Sequence, residues 1–218
     1  MLGLVVSGGD FDPPRRLEQW ASRAAVVVAA DSGAEHALRM GLPVHLVVGD
    51  LDSLSPEAQT QLQAAGTEFR THRTDKDETD TELALRELME RGCDQVIVLC
   101  ALGGRLDHTL ANVFLLALPG LEDRALIASG DIEVRLVRRR SRFSGATGDL
   151  LTLLPLGADA LGVKTEGLAY PLNAERLPAG YARGVSNVFT GEAAEVSLTR
   201  GTLLAVHTRT AAPEAEEE

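Results

Sequence analysis

Short, continuously apolar segments alternate with helical segments up to about residue 130 of this chain. The apolar segments are rich in Val, Ile and Leu, which is typical of strands buried on both faces of a sheet. Strands separated by helices form βαβ units and pair as a parallel sheet. The predicted strands are residues 2–6, 26–30, 44–48, 68–71, 96–100 and 126–128, and the predicted helices are residues 14–22, 34–40, 56–65, 81–91 and 109–118. The pattern therefore predicts an α/β fold whose N-terminal domain is a three-layer α/β/α structure.

The second half of the chain has a different sequence pattern, in which short apolar segments are separated by Gly, Pro, Asn and Asp. Strands are predicted at residues 132–137, 150–154, 162–165, 195–198 and 203–208, and no long helix is predicted beside them. This pattern favours a small all-β sandwich. We expect a catalytic α/β domain over residues 1–135, a β-sandwich over 136–210 and an acidic disordered tail over 211–218. The basic segment 138–144 is either a solvated strand end or linker, or a phosphate-facing patch.

Composition limits the classes of function that the chain can have. It has 218 residues, is 44% hydrophobic and carries a formal net charge of −11. An acidic chain of this kind lacks the basic footprint of a nucleic-acid-binding protein. No segment is long and apolar enough for a membrane span, and nothing resembles a signal peptide, so we expect a cytoplasmic location. The two cysteines, Cys93 and Cys100, lack metal-ligand spacing.

Five loops carry most of the chemically capable residues, and each follows a predicted strand. In an open parallel sheet, the loops at the carboxyl ends of the strands share one edge, where ligands bind. The sharpest loop is Gly49-Asp50-Leu51-Asp52-Ser53, in which Asp50 and Asp52 project to the same side of an extended turn. Such a pair suits Mg²⁺, although Asp also forms local turns without any ligand.

A second acidic loop, residues 75–80, precedes a predicted helix. Thr79 and Glu82 form a capping-box pattern, and Asp77 and Asp80 lie on one face of the first helical turn. Acidic residues are favoured at helix N-termini, but this loop holds more of them than capping needs. Together with Asp50 and Asp52, they predict a site for a metal ion and a polyphosphate.

The remaining loops offer groups that suit phosphates. Gly104 and its neighbour Gly103 offer backbone N–H groups, and Arg105 offers a forked cation for bidentate pairing with phosphate. Asp107 is either a helix cap or a ligand-contacting residue, and His108 is either a hydrogen-bonding partner or an ordinary helix-start histidine. Two further loops, Ser7-Gly8-Gly9 and Asp31-Ser32-Gly33, allow close approach of a nucleotide, although neither is a Rossmann or Walker A motif.

Four of these motifs, taken in order, resemble the thiamine pyrophosphokinase family. They are Asp31-Ser32-Gly33-Ala34, Gly49-Asp50-Leu51-Asp52-Ser53, Asp75-Lys76-Asp77-Glu78-Thr79-Asp80 and Gly103-Gly104-Arg105-Leu106-Asp107-His108. In the β-rich half, Gly167-Leu168-Ala169-Tyr170-Pro171-Leu172 and Gly184-Val185-Ser186-Asn187 resemble the thiamine side of that family. The resemblance implies Mg²⁺-assisted transfer of a diphosphate from ATP to the hydroxyl of thiamine, with release of AMP, by a homodimer.

The resemblance also implies roles for individual residues. Asp50, Asp52 and Asp80 are expected to hold Mg²⁺, and Asp77 and Arg105 are expected to join them in catalysis. The residues expected to bind the nucleotide are Asp31, Ser32, Gly33, Thr79, Gly104, Arg105, Asp107 and His108. Those expected to bind thiamine are Tyr170, Ser186 and Asn187. Tyr170 stands where some relatives have tryptophan, and it offers a smaller π face.

Three alternatives differ in their chemistry. A pyrophosphokinase acting on another acceptor, such as a hydroxymethylpterin, would keep the aspartate motifs and lose the match in the β-rich half. A metal-dependent phosphohydrolase would use the acids to activate water. A non-catalytic nucleotide- or thiamine-binding module would tolerate loss of Asp50 and Asp80, yet this chain retains both.

Overall fold

The computed structural model describes residues 1–73 and 75–210, and the chain divides into two compact units. Unit 1 comprises Met1–Gly130 and unit 2 begins at Asp131. The sequence predicts a domain boundary after residue 135, and this division lies slightly before it. The predicted acidic tail, residues 211–218, lies outside the described residues.

Unit 1 is an α/β structure built on six parallel strands in the order β6-β5-β1-β2-β3-β4. The strands are β1 (Leu2–Val6), β2 (Ala24–Ala30), β3 (Leu46–Gly49), β4 (Glu68–Thr71), β5 (Gln95–Leu99) and β6 (Ala125–Ser129). The helices are α1 (Leu17–Ala21), α2 (Gly33–Arg39), α3 (Pro56–Ala64), α4 (Asp80–Glu90) and α5 (Leu106–Leu115). The order of elements confirms the predicted α/β class.

Alternate residues of β1 show that helices cover both faces of this sheet. Leu4 and Val6 point to one side, where they share a core with Trp20 of α1 and Ala37 of α2. Gly3 points to the other side, where a Cβ atom would lie 2.7 Å from Leu88 of α4. Because successive side chains on a strand face opposite ways, α4 packs on the face opposite to α1 and α2. This arrangement is the predicted three-layer structure.

Unit 2 is all-β over its described residues, 131–210. Its strands are β7 (Ile132–Val137), β8 (Arg140–Ser144), β9 (Leu150–Pro155), β10 (Ala160–Glu166), β11 (Glu175–Leu177), β12 (Asn187–Val188), β13 (Ala193–Ser197) and β14 (Leu203–Thr208). Within the unit they pair antiparallel in two sets, β12-β9-β14-β7 and β11-β10-β13-β8. Residues from both sets share one core, so the unit is a sandwich as predicted.

Three elements of unit 2 correct the sequence analysis. The segment 138–144 is not a linker, since Arg140–Ser144 forms β8 and pairs with β13. Only Phe143 of this strand is buried, and the residues around it are polar, so the sequence shows no apolar pattern that would predict a strand. The short strands β11 and β12 are not predicted either, because two or three residues are too few to show a period-2 pattern.

The helix ends also differ from the prediction. Helix α1 begins at Leu17 instead of residue 14, because the N–H of Leu17 closes a turn onto the Pro14 carbonyl. Helix α5 begins at Leu106 instead of residue 109, so Asp107 and His108 lie inside its first turn. Among the described residues, no helix combines the length and apolar character that crossing a bilayer requires.

Candidate active site

The loops at the carboxyl edge of the unit 1 sheet surround one pocket of about 520 Å³. The loops after β1, β2, β3, β4 and β5 all contribute to its walls, as their shared position at the ends of parallel strands requires. Residues from all five loops and from the adjoining helices line it, among them Ser7, Asp31, Ser32, Asp50, Lys76, Glu78, Thr79, Asp80, Thr81, Gly103, Gly104, Arg105, His108 and Asn112. The structure therefore brings together acids that are dispersed in the sequence.

Three carboxylates form the tightest group at this edge. Asp31, Asp50 and Asp52 each offer an oxygen atom, and these oxygens lie within 4.8 Å of one another. The predicted metal set contains Asp50, Asp52 and Asp80, so Asp31, expected only beside the nucleotide, is an additional candidate ligand. The sequence around Asp31 does not indicate this role. The approach of Asp31 to the other two carboxylates depends on the pairing of β2 with the neighbouring strand β3.

The acidic loop after β3 has a conformation that depends on local backbone geometry. Gly49 has a φ of 149° and lies so close to Asp31 that an added Cβ atom would be 3.0 Å from the Asp31 Cβ. Leu51 has a φ of 65° and packs against the core. The Asp52 N–H donates to Asp50 Oδ1 at 3.3 Å, and Ser53 Oγ donates to Asp52 Oδ1 at 2.9 Å. These contacts hold the two carboxylates near each other.

Asp31 lies in an electrostatically unfavourable position. Burial raises the pKa of its carboxyl above the ordinary value, against the lowering effect of the neighbouring Ser53 side chain and Ser32 backbone. The negative charges of Asp80 and Asp50 raise this pKa further. Asp31 Oδ1 is buried and has no hydrogen-bond partner among the described residues. A divalent cation would relieve both the repulsion and the missing partner.

Asp80 enters the pocket from the first turn of α4. Thr79 is the N-cap of this helix, and its hydroxyl accepts a hydrogen bond from the Glu82 N–H at 3.2 Å. The predicted cap is therefore present and directs Asp80 towards the pocket. Asp77, in contrast, is exposed and is not one of the pocket-lining residues. Asp77 therefore has no direct access to this pocket, and its catalytic role stays a prediction.

Arg105 and Asp107 pair with each other at the start of α5. The guanidinium donates two hydrogen bonds to the carboxylate, at 3.1 Å and 2.5 Å, and both side chains are exposed. The Arg105 hydrogen bond lowers the pKa of Asp107 to about 2. Asp107 thus orients Arg105 and does not cap the helix, whose N-cap residue is Arg105 itself. Arg105 and His108 line the pocket beside Gly103 and Gly104.

Several pocket residues were not singled out by the sequence analysis. Lys76, Glu78, Thr81 and Asn112 line the pocket, and Asn112 donates to the Ala101 carbonyl at 2.9 Å. Lys76 and Glu78 lie inside the predicted acidic motif, so their position next to its aspartates was an available signal. Thr81 and Asn112 lie on helices, where the sequence does not show which face borders a pocket.

The predicted thiamine-side residues belong to unit 2. Tyr170 is 70% exposed and presents its ring to solvent. The Asn187 side chain is engaged with the backbone of Tyr170, since Oδ1 accepts from its N–H at 3.0 Å and Nδ2 donates to its carbonyl at 2.7 Å. Asn187 therefore fixes the backbone under the aromatic ring. Ser186 is exposed, has a φ of 58°, and its N–H donates to Thr152 Oγ1 at 3.0 Å.

Comparison with known protein families gives matches over both units. The model of "Thiamin pyrophosphokinase, catalytic domain" matches residues 17–126. The model of "Thiamin pyrophosphokinase, vitamin B1 binding domain" matches residues 135–203.

Individual relatives agree with these matches. The chain is 24% identical over 213 residues to thiamine pyrophosphokinase from Bacillus subtilis, covering 93% of this chain and 96% of that one. It is 27% identical to thiamine pyrophosphokinase 3 from Oryza sativa subsp. japonica, covering 85% and 79%. The crystal structure of the B. subtilis protein superimposes with a TM-score of 0.86 at 21% identity, covering 97% and 100%. The crystal structure of a thiamin pyrophosphokinase family protein from Enterococcus faecalis gives a TM-score of 0.84 at 27% identity, again covering 97% of this chain and 100% of that one.

Proposed function

Since this chain belongs to the thiamine pyrophosphokinase family, we infer that it transfers a diphosphate group from ATP to the hydroxyl of thiamine, giving thiamine diphosphate and AMP. The observation that carries this conclusion is the match of both family models in one chain, with the acidic pocket inside the catalytic match. A pyrophosphokinase acting on another acceptor is not favoured, because such an enzyme would not need a vitamin B1 binding domain. A hydrolase is not favoured for the same reason, and a non-catalytic module is not favoured because the chain also matches the catalytic-domain model.

The reaction forms one bond and breaks one bond. The thiamine hydroxyl oxygen bonds to the β-phosphorus of ATP, and the bond from that phosphorus to the oxygen bridging to the α-phosphorus breaks. AMP leaves with the bridging oxygen, and the hydroxyl proton is released. Transfers of this type depend on positioning and charge stabilisation and need no covalent enzyme intermediate. The pocket fits this requirement, since it offers charged groups and backbone amides.

We propose that Asp50, Asp52 and Asp80 hold Mg²⁺, with Asp31 as a fourth carboxylate beside them. The donor set is all oxygen, as Mg²⁺ prefers, and the buried Oδ1 atom of Asp31 lacks a hydrogen bond within the described part of the chain. Bound there, Mg²⁺ would neutralise charge on the polyphosphate. Thr79 supports this arrangement by capping α4. The catalytic role expected for Asp77 stays a prediction, since this residue is exposed and does not line the pocket.

The nucleotide and the acceptor are assigned to different units. We propose that Ser32, Gly104, Arg105 and His108 contact ATP, and that Asp107 orients Arg105 through their ion pair. Gly33 was expected to join them, but it is buried and does not line the pocket, so we assign it to the packing of α2 on β1. An added Cβ atom at Gly33 would lie 2.1 Å from the Val6 carbonyl oxygen, so only glycine fits at the start of α2.

The acceptor is assigned to the exposed aromatic residue of unit 2. Thiamine is a cationic aromatic ring system, and the exposed π face of Tyr170 suits it. Ser186 and Asn187 are assigned to the same side, Asn187 through its hold on the Tyr170 backbone.

We also propose that the enzyme is a homodimer and works in the cytoplasm, where ATP is supplied. In the sequence, the dimer is implied by the family resemblance alone, and α5 adds a structural observation that supports it. Leu106, Leu110 and Phe114 follow one another at i, i+4 and i+8 and are exposed by 70%, 50% and 58%. No residue of α5 is buried. An apolar stripe of this size on a helix is typical of an interaction surface.

Product analysis by chromatography tests the proposed reaction. The protein is mixed with ATP, Mg²⁺ and thiamine, and thiamine diphosphate and AMP are expected in equal amounts. Thiamine monophosphate with ADP would keep the substrate and overturn the one-step transfer. Inorganic phosphate or diphosphate without any thiamine product would instead indicate hydrolysis.

A further inference from the structure

The ammonium group of Lys76 forms an ion pair with Asp80, one of the proposed metal-binding carboxylates. Its Nζ lies 2.7 Å from Asp80 Oδ1, and the two side chains are only 16% and 29% exposed. Both residues line the pocket. The contact is an ion pair without hydrogen-bond geometry, and Asp80 Oδ1 has no hydrogen-bond partner among residues 1–73 and 75–210. A cation therefore already balances this oxygen before any ligand binds.

The choice of lysine at this position is unusual for this chain. Of its 21 basic residues, only two are lysines, Lys76 and Lys164. Arginine is the standard cation of this sequence, and Arg105 in the same pocket is paired with Asp107. A guanidinium is planar and binds carboxylates as a rigid fork, whereas an ammonium is a compact charge on a flexible four-carbon stem. Lysine is thus the residue that can leave a carboxylate and contact another anion within the same pocket.

We propose that Lys76 is a displaceable counter-ion that holds Asp80 in the free enzyme and transfers to the polyphosphate when the nucleotide binds. This inference rests on the proposed function, because it needs Asp80 as a metal ligand. In the free enzyme, Lys76 neutralises part of the repulsion between Asp80 and the neighbouring Asp31 and Asp50. When the nucleotide binds with its cation, Lys76 releases Asp80 and donates to the new phosphate oxygens.

The proposal has a thermodynamic consequence that a purely structural ion pair does not have. Because Lys76 and a divalent cation compete for Asp80, the free enzyme should bind the cation weakly. Because Lys76 favours the bound polyphosphate, nucleotide and cation should strengthen each other's binding, and this coupling is reciprocal. Removing the ammonium should therefore change the two affinities in opposite directions.

Calorimetric titration of the full chain measures both affinities. For Lys76→Met, Mg²⁺ alone should bind about tenfold more tightly than to the unaltered protein, since one competing charge at contact distance is gone. The Mg²⁺ complex of α,β-methylene ATP, which cannot be cleaved at the reacting bond, should bind about tenfold more weakly. Lys164→Met is the matched control, because Lys164 is exposed and lies in unit 2. An unchanged Mg²⁺ affinity in Lys76→Met overturns the proposal, and so does a change of both affinities in the same direction.

A second measurement needs no substitution at all. With only two lysines, protein labelled with ¹³C at the lysine ε-carbon gives one signal from each. Adding Mg²⁺ and α,β-methylene ATP should shift the Lys76 signal and leave the Lys164 signal in place. A Lys76 signal that stays unchanged at saturation means that the ammonium does not move, and the proposal fails.

The variant Asp52→Asn separates this failure from failure of the proposed function. If Asp52→Asn weakens Mg²⁺ binding while Lys76→Met has no effect, the metal assignment stands and only the role of Lys76 is overturned. If Asp52→Asn leaves both Mg²⁺ binding and turnover intact, the proposed metal set itself is wrong.

Discussion

The hydroxyl of Ser7 lies 3.0 Å from the hydroxyl of Thr81, and both residues are buried and line the same pocket. Ser7 directly follows β1, whereas Thr81 lies in the first turn of α4, next to Asp80. This single contact therefore connects the loop that borders the pocket on one side with the helix that supplies a proposed metal ligand on the other.

Removing this contact should lower the stability of unit 1. We expect Ser7→Ala and Thr81→Val each to lower the free energy of unfolding by roughly 1–2 kcal/mol, because each leaves a buried hydroxyl unpaired. The double variant should cost about 1 kcal/mol less than the sum of the two, since the contact can be lost only once. Urea unfolding of the four proteins measures the coupling. Strict additivity would mean that the two hydroxyls do not interact in solution.

Asp52→Asn tests the acidic loop after β3. The substitution keeps the shape of the side chain and removes its charge, so the fold should persist while turnover falls by on the order of a hundredfold or more. The matched control is Asp75→Asn, because Asp75 belongs to the other acidic loop but pairs with Arg73 on the surface. Steady-state rates of both variants are compared at saturating ATP and thiamine. Comparable losses in both would point to overall charge and not to a metal ligand at Asp52.

Tyr170→Ala tests the assignment of thiamine to unit 2. The ring of Tyr170 is exposed while its backbone is fixed by Asn187, so its removal should cost contact area and little stability. We expect the KM for thiamine to rise about tenfold, with a smaller change for ATP, because one aromatic contact to a cationic ring is lost. Tyr170→Phe retains the ring and should behave nearly like the unaltered protein. An unchanged thiamine KM in Tyr170→Ala would assign Tyr170 to the surface only.

The sequence predicts the catalytic half well because its signals are local. Continuous apolar strands, the Thr79 cap and the acidic loops each depend on residues near one another, and the structure contains all of them. The topology of parallel strands then brings the loops to one edge without any further information.

What the sequence does not show depends on residues far apart in the chain. The approach of Asp31 to Asp50 and Asp52 follows from the pairing of β2 with β3. The apolar stripe on α5 was missed because a helix with apolar residues normally buries them, and only the structure shows that these remain exposed. Strand β8 was missed because one buried residue, Phe143, carries its entire core contact.

Leu110→Glu tests whether the α5 stripe joins two copies of the chain. A carboxylate in the centre of an apolar interface would be buried without a partner, so the dimer should dissociate at least a hundredfold more readily, which corresponds to about 3 kcal/mol. Sedimentation velocity over a range of concentrations measures the change. Gln63→Glu adds the same charge to an exposed position of α3 and serves as the control. An unaltered association constant in Leu110→Glu would exclude α5 from the interface.

The buried pair of Asp149 and His207 should make unit 2 sensitive to acid. Asp149 Oδ2 lies 3.1 Å from His207 Nε2, and the imidazole stacks on Phe189 with a centroid distance of 4.9 Å. His207 Nδ1 has no hydrogen-bond partner among the described residues, so an added proton there would be buried without an acceptor. Burial accordingly lowers the pKa of His207, although the hydrogen bond with Asp149 opposes the shift.

The sign of the pH effect follows from this lowered pKa. As the pH falls below the ordinary histidine value of 6.5, the unfolded chain binds a proton at His207 before the folded chain does. The stability contributed by the neutral imidazole is therefore complete above that pH and is lost as the pH falls towards the lowered pKa. Burial also opposes ionisation of Asp149, but backbone N–H groups of Ala146 and Thr210 and the His207 hydrogen bond lower its pKa. Asp149 adds a second loss of stability below its ordinary value of 3.8.

His207→Gln isolates the first of these losses. The amide of glutamine retains a donor for Asp149 and does not titrate. Between ~pH 7.5 and ~pH 5.5, the free energy of unfolding of the variant should therefore change by roughly 1 kcal/mol less than that of the unaltered protein. Urea unfolding at the two pH values measures the difference. His45→Gln is the control, because the Nδ1 of this exposed histidine of unit 1 accepts from the Val27 N–H. Parallel pH profiles for His207→Gln and the unaltered protein would show that His207 does not titrate differently in the folded and unfolded states.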